Sequence, residues 1–339
     1  MLMKTRIFFA ISCACAVLCS CSKDVVSQGV WGGTDPTVPS LSGLYSATAG
    51  SNTVIYGSDK WKSVIYDGSM YLAAGDGDAV AISEDGKIWT AAVVDNITDW
   101  KGAAYGNDTY VLTGGYGMVA TSADGKDWTK SSVSSAPLYG VAYGASKFVA
   151  ASATGVLTSA DAKEWTAASG EYSFTNLIYA NNQFVATGLG NVLAYSTDGT
   201  AWTQVTGTSV PGPQAEGTEA GSTVSWYDVA YGQVGTASYY VAVGMTDRTY
   251  TLNAKKTTAY DGIIAVSSDA TTWTVTRYEG KKNDDGSFQN VIFTSVDINA
   301  GIAVVGGAED DMRYSADLSV WTPVELPEDA DIFAVCIAE

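Results

Sequence analysis

The chain has 339 residues, with 18 basic side chains, 36 acidic side chains and no histidine, and its formal net charge at pH 7 is −18. The lack of histidine excludes imidazole acid–base catalysis, Ser-His-Asp triads and histidine-ligated zinc. The acidic balance disfavours binding to nucleic acid and to anionic lipid headgroups.

Residues 1–20 have the features of an export signal. Lys4 and Arg6 precede an apolar run over residues 7–18 that is too short to span a bilayer as a helix. The run ends in Leu-Cys-Ser before Cys21, which resembles the lipobox of bacterial lipoproteins. That resemblance implies that Cys21 is the lipid anchor of an outer-membrane lipoprotein, on the periplasmic side or at the cell surface. An ordinary secretory signal is the alternative.

Residues 21–42 are expected to form a flexible tether. Pro36 and Pro39 lie there among glycine, serine and threonine, and a random coil of this length spans ~25 Å. Without residues 1–20, 16 basic and 36 acidic side chains leave a net charge of −20. Cys336 is the one cysteine after position 21, so the sequence predicts no disulfide framework, and its apolar neighbours predict a buried thiol.

The pattern Ser-x-Asp-x-x-x-Trp occurs six times in the rest of the chain, always with the same internal spacing. A pattern kept at a fixed period indicates a repeat architecture. The six copies are Ser83, Asp85 and Trp89; Ser122, Asp124 and Trp128; Ser159, Asp161 and Trp165; Ser196, Asp198 and Trp202; Ser267, Asp269 and Trp273; and Ser315, Asp317 and Trp321.

A second pattern lies between these copies. It reads aromatic-x-x-Val/Ala-x-Tyr and is followed by a turn and a Tyr/Phe-Val-Ala strand. Residues 61–66 and 71–75 are an example. Each unit offers four short β-rich runs without helical periodicity. Four strands every ~37 to 40 residues is the scale of a β-propeller blade.

Together the patterns resemble the Asp-box repeat family of β-propellers, also called BNR or sialidase-type, over residues 43–339. The family has one residue between Asp and Gly, whereas here Gly86, Gly125 and Gly199 follow the Asp directly. The resemblance implies an all-β propeller. In it, Ser and Asp would bond turn N–H groups and Trp would pack between blades, so all six Asp residues are interpreted as structural.

The chain ends predict the blade count. Residues 331–338 match the first strand of a unit, while residues 44–50 and 52–57 look like the second and third strands of a degenerate unit. We therefore predict seven four-stranded blades with one blade shared by the N- and C-termini, because sharing leaves no free sheet edge. Six blades with terminal additions are the alternative.

Four departures from the minimal repeat predict a ligand site on the face opposite the Asp boxes. Residues 207–225, 245–261, 279–287 and 309–311 are interpreted as irregular loops on that face. Neutral insertions and a solvated rim are the alternatives, and Trp226 is expected to be core between blades, like Trp61 and Trp100, as an alternative to stacking on a sugar. The candidate ligand residues are Trp226, Tyr227, Arg248, Tyr250, Lys255, Lys256, Tyr260, Arg277, Lys281 and Lys282.

The resemblance to sialidases does not extend to their chemistry. Those enzymes use three arginines drawn from several blades and an early Arg-Ile-Pro segment. Here Arg248, Arg277 and Arg313 all lie in the last third, and no Arg-Ile-Pro occurs. We therefore expect a non-catalytic, monomeric propeller without cofactor or metal that binds a glycan or an envelope protein. A scaffold resembling the photosystem II assembly factor is an alternative, and a glycoside hydrolase is the least favoured one.

Overall fold

The computed structural model describes residues 41–58, 60–94, 98–168, 170, 172–326 and 330–338. The export signal, Cys21 and nearly all of the tether lie outside the described residues. The described chain forms 27 strands, β1 to β27, and a 3₁₀ turn at Gly115–Gly117. The strands build seven antiparallel sheets around one axis, which confirms the predicted seven-bladed β-propeller.

Six blades consist of four consecutive strands, with the first strand at the axis. Blades I to III are β3 (Trp61–Tyr66), β4 (Tyr71–Gly75), β5 (Ala79–Ser83) and β6 (Thr90–Val93); β7 (Trp100–Gly106), β8 (Thr109–Gly114), β9 (Met118–Ser122) and β10 (Thr129–Ser132); and β11 (Leu138–Gly144), β12 (Lys147–Ser152), β13 (Gly155–Ser159) and β14 (Thr166–Ala167). Blades IV to VI are β15 (Phe174–Ala180), β16 (Gln183–Gly188), β17 (Val192–Ser196) and β18 (Thr203–Gln204); β19 (Thr218–Val234), β20 (Ala237–Leu252), β21 (Lys255–Ser267) and β22 (Thr274–Tyr278); and β23 (Phe293–Asn299), β24 (Ile302–Gly307), β25 (Met312–Ser315) and β26 (Thr322–Pro323).

The two termini share blade VII. The innermost strand is β27 (Ile332–Ile337), which pairs with β2 (Asn52–Ser58), and β2 pairs with β1 (Leu44–Ala49). The described residues thus give this blade three strands, and the order of the two N-terminal strands is the reverse of the expected one. The reason is direction: the antiparallel neighbour of an innermost strand ends on the face where β3 begins, whereas a third strand would end on the opposite face.

The hydrophobic core lies between the blades. Each innermost strand contacts the innermost strands of both neighbouring blades, and β27 contacts β23 and β3, so the ring is closed. Trp61 and Trp100 begin innermost strands, and Trp226 has the corresponding position inside the longer strand β19. All three are fully buried, which confirms the expectation that they are core. Burying such a side chain contributes roughly 1.5–3 kcal/mol or more to stability.

The Ser-x-Asp-x-x-x-Trp copies form hairpin turns between the third and fourth strands of blades I to VI. In blade IV, Ser196 Oγ donates to Asp198 Oδ1 at 3.1 Å, and Asp198 Oδ1 accepts from the N–H groups of Thr200 and Ala201 at 2.8 and 2.9 Å. Trp202 Nε1 donates to the carbonyl of Gly199 at 3.2 Å. The Asp carboxylate makes the same hydrogen bonds in the other five turns, at Asp85, Asp124, Asp161, Asp269 and Asp317.

Candidate functional site

The connections define two faces of the ring. The turn face carries the links from first to second strands and the Ser-x-Asp-x-x-x-Trp turns, and the insertion face carries the remaining links. On the insertion face, blade V differs from the other six. Its first three strands contain 17, 16 and 13 residues, whereas strands of the other blades contain at most seven.

The additional length of blade V forms a three-stranded ribbon, made of residues 218–225, 245–252 and 255–261. Pairing of β20 with β21 continues without a break from Tyr240↔Ser267 to Leu252↔Lys255. Eight residues of strand extend ~25 Å beyond the ring. The interpretation of residues 245–261 as an irregular loop is therefore wrong. Its threonines are typical of a strand, but the charged Arg248 has a buried position there and interrupts the polar–apolar alternation in the sequence.

A buried charge network joins the ribbon to the blade. The side chains of Arg248 and Asp261 are both fully buried, and Arg248 Nε lies 3.2 Å from Asp261 Oδ1. Arg248 Nη1 lies 2.5 Å from Glu279 Oε2, and its Nη2 donates to the carbonyl of Gly280 at 2.9 Å. The Nη1 and Nη2 atoms of Arg248 thus donate hydrogen bonds within the protein, whereas its Nε contacts Asp261 as an ion pair without a hydrogen bond.

Arg277 completes the network from the outer strand β22. Its Nε donates to Asp261 Oδ2 at 2.8 Å, its Nη2 to the carbonyl of Asp247 at 3.0 Å and its Nη1 to that of Pro211 at 3.2 Å. Burial raises the pKa of Asp261, and the hydrogen bond from Arg277 and the charge of Arg248 act against it. The two arginines therefore hold together the ribbon, the segment before β19 and the segment after β22.

The segment after β22 covers one side of the ribbon. The Phe288 ring lies 4.1 Å from Arg248 Cζ and meets the ring of Tyr250 edge-on, with centroids 4.9 Å apart. Lys282 Nζ lies 5.6 Å from the same ring. Because Tyr250 is buried against Phe288, its role in the structure is packing rather than presentation to solvent.

The ten candidate ligand residues thus separate into two groups. Trp226 is fully buried, and its Nε1 donates to Asn191 Oδ1 at 3.0 Å, while Tyr250 and the guanidinium groups of Arg248 and Arg277 have protein partners. Four lysines are exposed on the insertion face, and two tyrosines are half-buried. These six are Lys255, Lys256, Lys281, Lys282, Tyr227 and Tyr260.

The outer edge of β21 is open in the ribbon. Strand β22 pairs with β21 from Gly262 to Val266. Beyond that point, Tyr260 exchanges hydrogen bonds with Asn290 and Val291, at 3.1 and 2.9 Å. Residues 255–259 have no further strand on this side within the described part of the chain. An open strand edge is a template for pairing with another chain.

A central channel with a volume of about 640 Å³ is the second concave feature. Near the insertion face, Asp228 Oδ1 accepts from Asn176 Nδ2 at 2.6 Å, and Asp228 Oδ2 accepts from Ser295 Oγ at 3.1 Å. The middle of the channel is a ring of seven small or aliphatic residues, one from each blade: Val64, Ala103, Val141, Leu177, Val229, Val296 and Val335.

Five tyrosines surround the mouth of the channel on the turn face. They occupy the same register position near the end of five innermost strands, opposite an aromatic residue of the second strand. Sequence reasoning recorded the recurring tyrosine but did not treat it as a site, since recurrence alone equally describes packing. The tyrosine ring consists of Tyr66, Tyr105, Tyr143, Tyr179 and Tyr231, and Asp67 and Asp297 line the same half of the channel.

Arginine does not line this channel in the described residues. Arg248 and Arg277 belong to the ribbon network, and Arg313 Nη2 lies 2.5 Å from Asp311 Oδ2. A clamp of three arginines on a substrate carboxylate is thus not formed here. Among the described residues, no three potential ligands gather as they would around a metal ion, and no helix has the length and apolar character of a membrane span.

Solved structures share this fold. No protein-family model and no curated protein sequence matches the chain. A structure described as YCF48 bound to D1 peptide is 14% identical, with a TM-score of 0.52, covering 80% of this chain and 84% of that one. The WD40 β-propeller domain of Doa1 is 11% identical, with a TM-score of 0.55, covering 84% and 92%. A chain of a nidogen/laminin complex is 8% identical, with a TM-score of 0.50, covering 80% and 99%.

The fold is that of a seven-bladed β-propeller. At such identities the likeness concerns the architecture alone, because propellers of one blade number serve many functions. Function has to be argued from the ribbon, the open edge and the channel.

Proposed function

We propose that this protein is a non-catalytic binding propeller that docks another protein through the ribbon of blade V. The observation that carries the proposal is the ribbon itself, which extends from one blade of the seven and is held by buried charges. A buried charge network costs free energy when a partner is missing. It therefore contributes more to fixing one geometry of the ribbon than to the free energy of unfolding. A rigid projecting element suits partner recognition.

The open edge of β21 supports a specific mode of docking. An extended segment of a partner can add to such an edge through backbone hydrogen bonds, with specificity from alternate side chains. Lys255 and Lys256 are exposed there, on a chain of strongly negative net charge. Lys256 pairs with Glu219 at 3.2 Å, but both side chains are exposed, so the pair is weak. The preferred partner is therefore an extended, acidic protein segment.

A protein suits this face better than a glycan does. Trp226, for which stacking on a sugar was the alternative, and Tyr250, another candidate ligand residue, are both buried. The structural neighbours include YCF48 bound to D1 peptide and a chain of the mitotic checkpoint complex, so this fold is compatible with protein ligands. The lipobox-like sequence before Cys21 supports a lipid-anchored protein of the cell envelope, and the turn geometry supports the Asp-box type of repeat.

The test is quantitative cross-linking of the mature protein to envelope proteins. The variant Lys255→Glu/Lys256→Glu reverses two charges on the ribbon, and Lys126→Glu/Lys163→Glu reverses two exposed charges on the turn face. We expect at least one partner that the unmodified protein and the turn-face variant capture equally and that the ribbon variant captures at least about tenfold less. Identical partners for both variants, or no partner for the unmodified protein, would rule out docking through the ribbon.

A further inference from the structure

The tyrosine ring surrounds the mouth of the channel on the turn face, away from the ribbon and its proposed docking edge. Tyr66, Tyr105, Tyr143, Tyr179 and Tyr231 lie at the end of the channel opposite the ribbon, and the channel as a whole has a volume of about 640 Å³. That volume is within the usual range for small-molecule sites. The five side chains are half-buried or, for Tyr105, 37% exposed.

Packing leaves these tyrosines with little freedom. Each ring lies 4.4 to 4.8 Å from an aromatic ring in the second strand of its own blade. The ring of Tyr143 lies over Gly106 of the preceding blade, and the ring of Tyr179 lies over Gly144. Tyr143 and Tyr179 are thus packed on two sides and the other three on at least one, which limits stacking on a ligand and leaves the hydroxyl groups as the polar ends of the side chains.

These hydroxyl groups form no side-chain hydrogen bond among the described residues, although they line a polar mouth. Asp67 and Asp297 add carboxylates to the same half, where their oxygens also accept hydrogen bonds from Ser69 and Tyr110 and from Ile298 and Ile337. The channel-lining Lys101 belongs to the opposite end, where its Nζ lies 2.6 Å from Asp76 Oδ1. Donors and acceptors without a cation disfavour an anionic ligand and suit one that both donates and accepts hydrogen bonds.

The interior of the site is apolar. Further inside the mouth, the channel is lined by the aliphatic ring that includes Val64, Val141 and Val335. A ligand in the mouth would therefore meet hydroxyl groups at its rim and C–H groups beneath it. A sugar ring combines hydroxyl groups around its circumference with apolar C–H surface.

We infer that the tyrosine ring is a binding site for a neutral sugar, a mono- or disaccharide or the terminal residue of a neutral glycan. Recognition is by hydrogen bonds from tyrosine hydroxyl groups and to carboxylates, rather than by aromatic stacking. This site is independent of the ribbon, so either proposal can fail without the other.

Ligand-observed NMR and calorimetry on the mature protein test this inference. The probes are glucose, galactose, N-acetylglucosamine, maltose and lactose, with glucuronate as the anionic counterpart. We expect saturable binding of at least one neutral sugar and weaker binding of glucuronate. The variant Tyr105→Phe/Tyr143→Phe/Tyr179→Phe removes three hydroxyl groups but keeps the packed rings, so it should weaken binding at least about tenfold. Its thermal unfolding should stay unchanged.

The matched control is Tyr116→Phe, because Tyr116 is 80% exposed on the insertion face. This change should leave the affinity for the sugar unaltered. Three results would overturn the inference: no saturable binding of any neutral probe, equal affinity of the triple variant and the unmodified protein, or tighter binding of glucuronate than of neutral sugars. The relative affinities of a monosaccharide and of a neutral oligosaccharide that ends in it show whether the ligand is a free sugar or the end of a glycan.

Discussion

The aspartate side chains of the six hairpin turns accept hydrogen bonds from groups of the same turn. In each, one carboxylate oxygen accepts a serine hydroxyl and two backbone N–H groups. The N–H groups of Val320 and Ser319 lower the pKa of Asp317 to about 2, and those of Thr272 and Thr271 lower the pKa of Asp269 to about 2. Such carboxylates are stabilised as anions, so they are poorly suited to act as catalytic acids.

We predict that Asp198→Ala destabilises the protein by about 1 kcal/mol, because it leaves the N–H groups of Thr200 and Ala201 without their acceptor. Asp198→Asn keeps one acceptor oxygen and should cost clearly less. The measurement is the free energy of unfolding in urea at neutral pH. Equal losses for the two variants would show that the negative charge, rather than the acceptor geometry, stabilises the turn.

At this scale, local hydrogen bonding could be predicted from the sequence and burial of charge could not. Ser196 and Asp198 are two residues apart in one turn, so their hydrogen bond could be predicted from their spacing in the sequence. Arg248 finds Glu279 31 residues further along the chain, and the sequence shows a surplus of basic groups there without showing where they point. Arg248 and Arg277 were therefore assigned to a ligand, whereas the structure gives them protein partners.

Neighbouring blades interlock where innermost strands end. A Cβ atom on Gly144 would lie 1.9 Å from Cγ of Tyr179 in the next blade, and Tyr179 cannot move away because it packs on Phe184 at 4.7 Å. Glycine is required here for close approach rather than for backbone conformation.

We predict that Gly144→Ala destabilises the protein by about 1–3 kcal/mol, the usual cost of forcing an additional methyl group into a packed contact. Gly212→Ala is the control, since a Cβ atom there would have no neighbour within 4 Å. Thermal unfolding of the two variants gives the comparison. A Gly144→Ala protein as stable as the control would mean that the blades adjust to each other more freely than the packing indicates.

Strand existence could be predicted from the sequence, but strand length in blade V could not. The alternating and apolar runs gave the four-stranded units correctly, because period-two patterns directly indicate half-buried strands. In the ribbon, the side facing Phe288 carries Arg248 in addition to Tyr250 and Ala259. A buried arginine breaks the polar–apolar alternation, which made a regular strand look like an irregular insertion.

Hydrogen bonds between the innermost strands of blades VI and VII contribute to the closure of the ring. Ser295 Oγ accepts from the N–H of Val335 at 3.1 Å, and Asp297 Oδ2 accepts from the N–H of Ile337 at 2.7 Å. Asp297 replaces the apolar residue that other blades place at this position, such as Ile65 or Ile178. Burial, and to a lesser extent the charge of Asp228, raises the pKa of Asp297 to about 6.

This raised pKa makes ring closure sensitive to pH in a defined direction. Between about pH 4 and pH 6 the folded protein retains a proton on Asp297 that the unfolded chain has released, so this group's contribution to stability falls as the pH rises through that window. The aspartates of the hairpin turns act in the opposite sense, since their lowered pKa values cost stability as the pH falls below about 4. The two effects occupy separate pH ranges and can be measured separately.

We predict that Asp297→Asn removes the contribution of this residue to the dependence of stability on pH between 4 and 6. The amide cannot ionise, so the difference in the free energy of unfolding between the unmodified protein and the variant should change by up to about 3 kcal/mol across the window, at ~1.4 kcal/mol per pKa unit. The variant is expected to be the less stable protein at pH 4, where it lacks one acceptor for the N–H of Ile298 or Ile337, and to approach the unmodified protein near pH 6. Urea unfolding at half-unit pH steps measures this, with Asp198→Asn as the control whose difference changes below pH 4 alone. A constant difference for Asp297→Asn from pH 4 to 7 would mean that Asp297 does not titrate in the closed ring, and that the contact between β23 and β27 is insensitive to its charge.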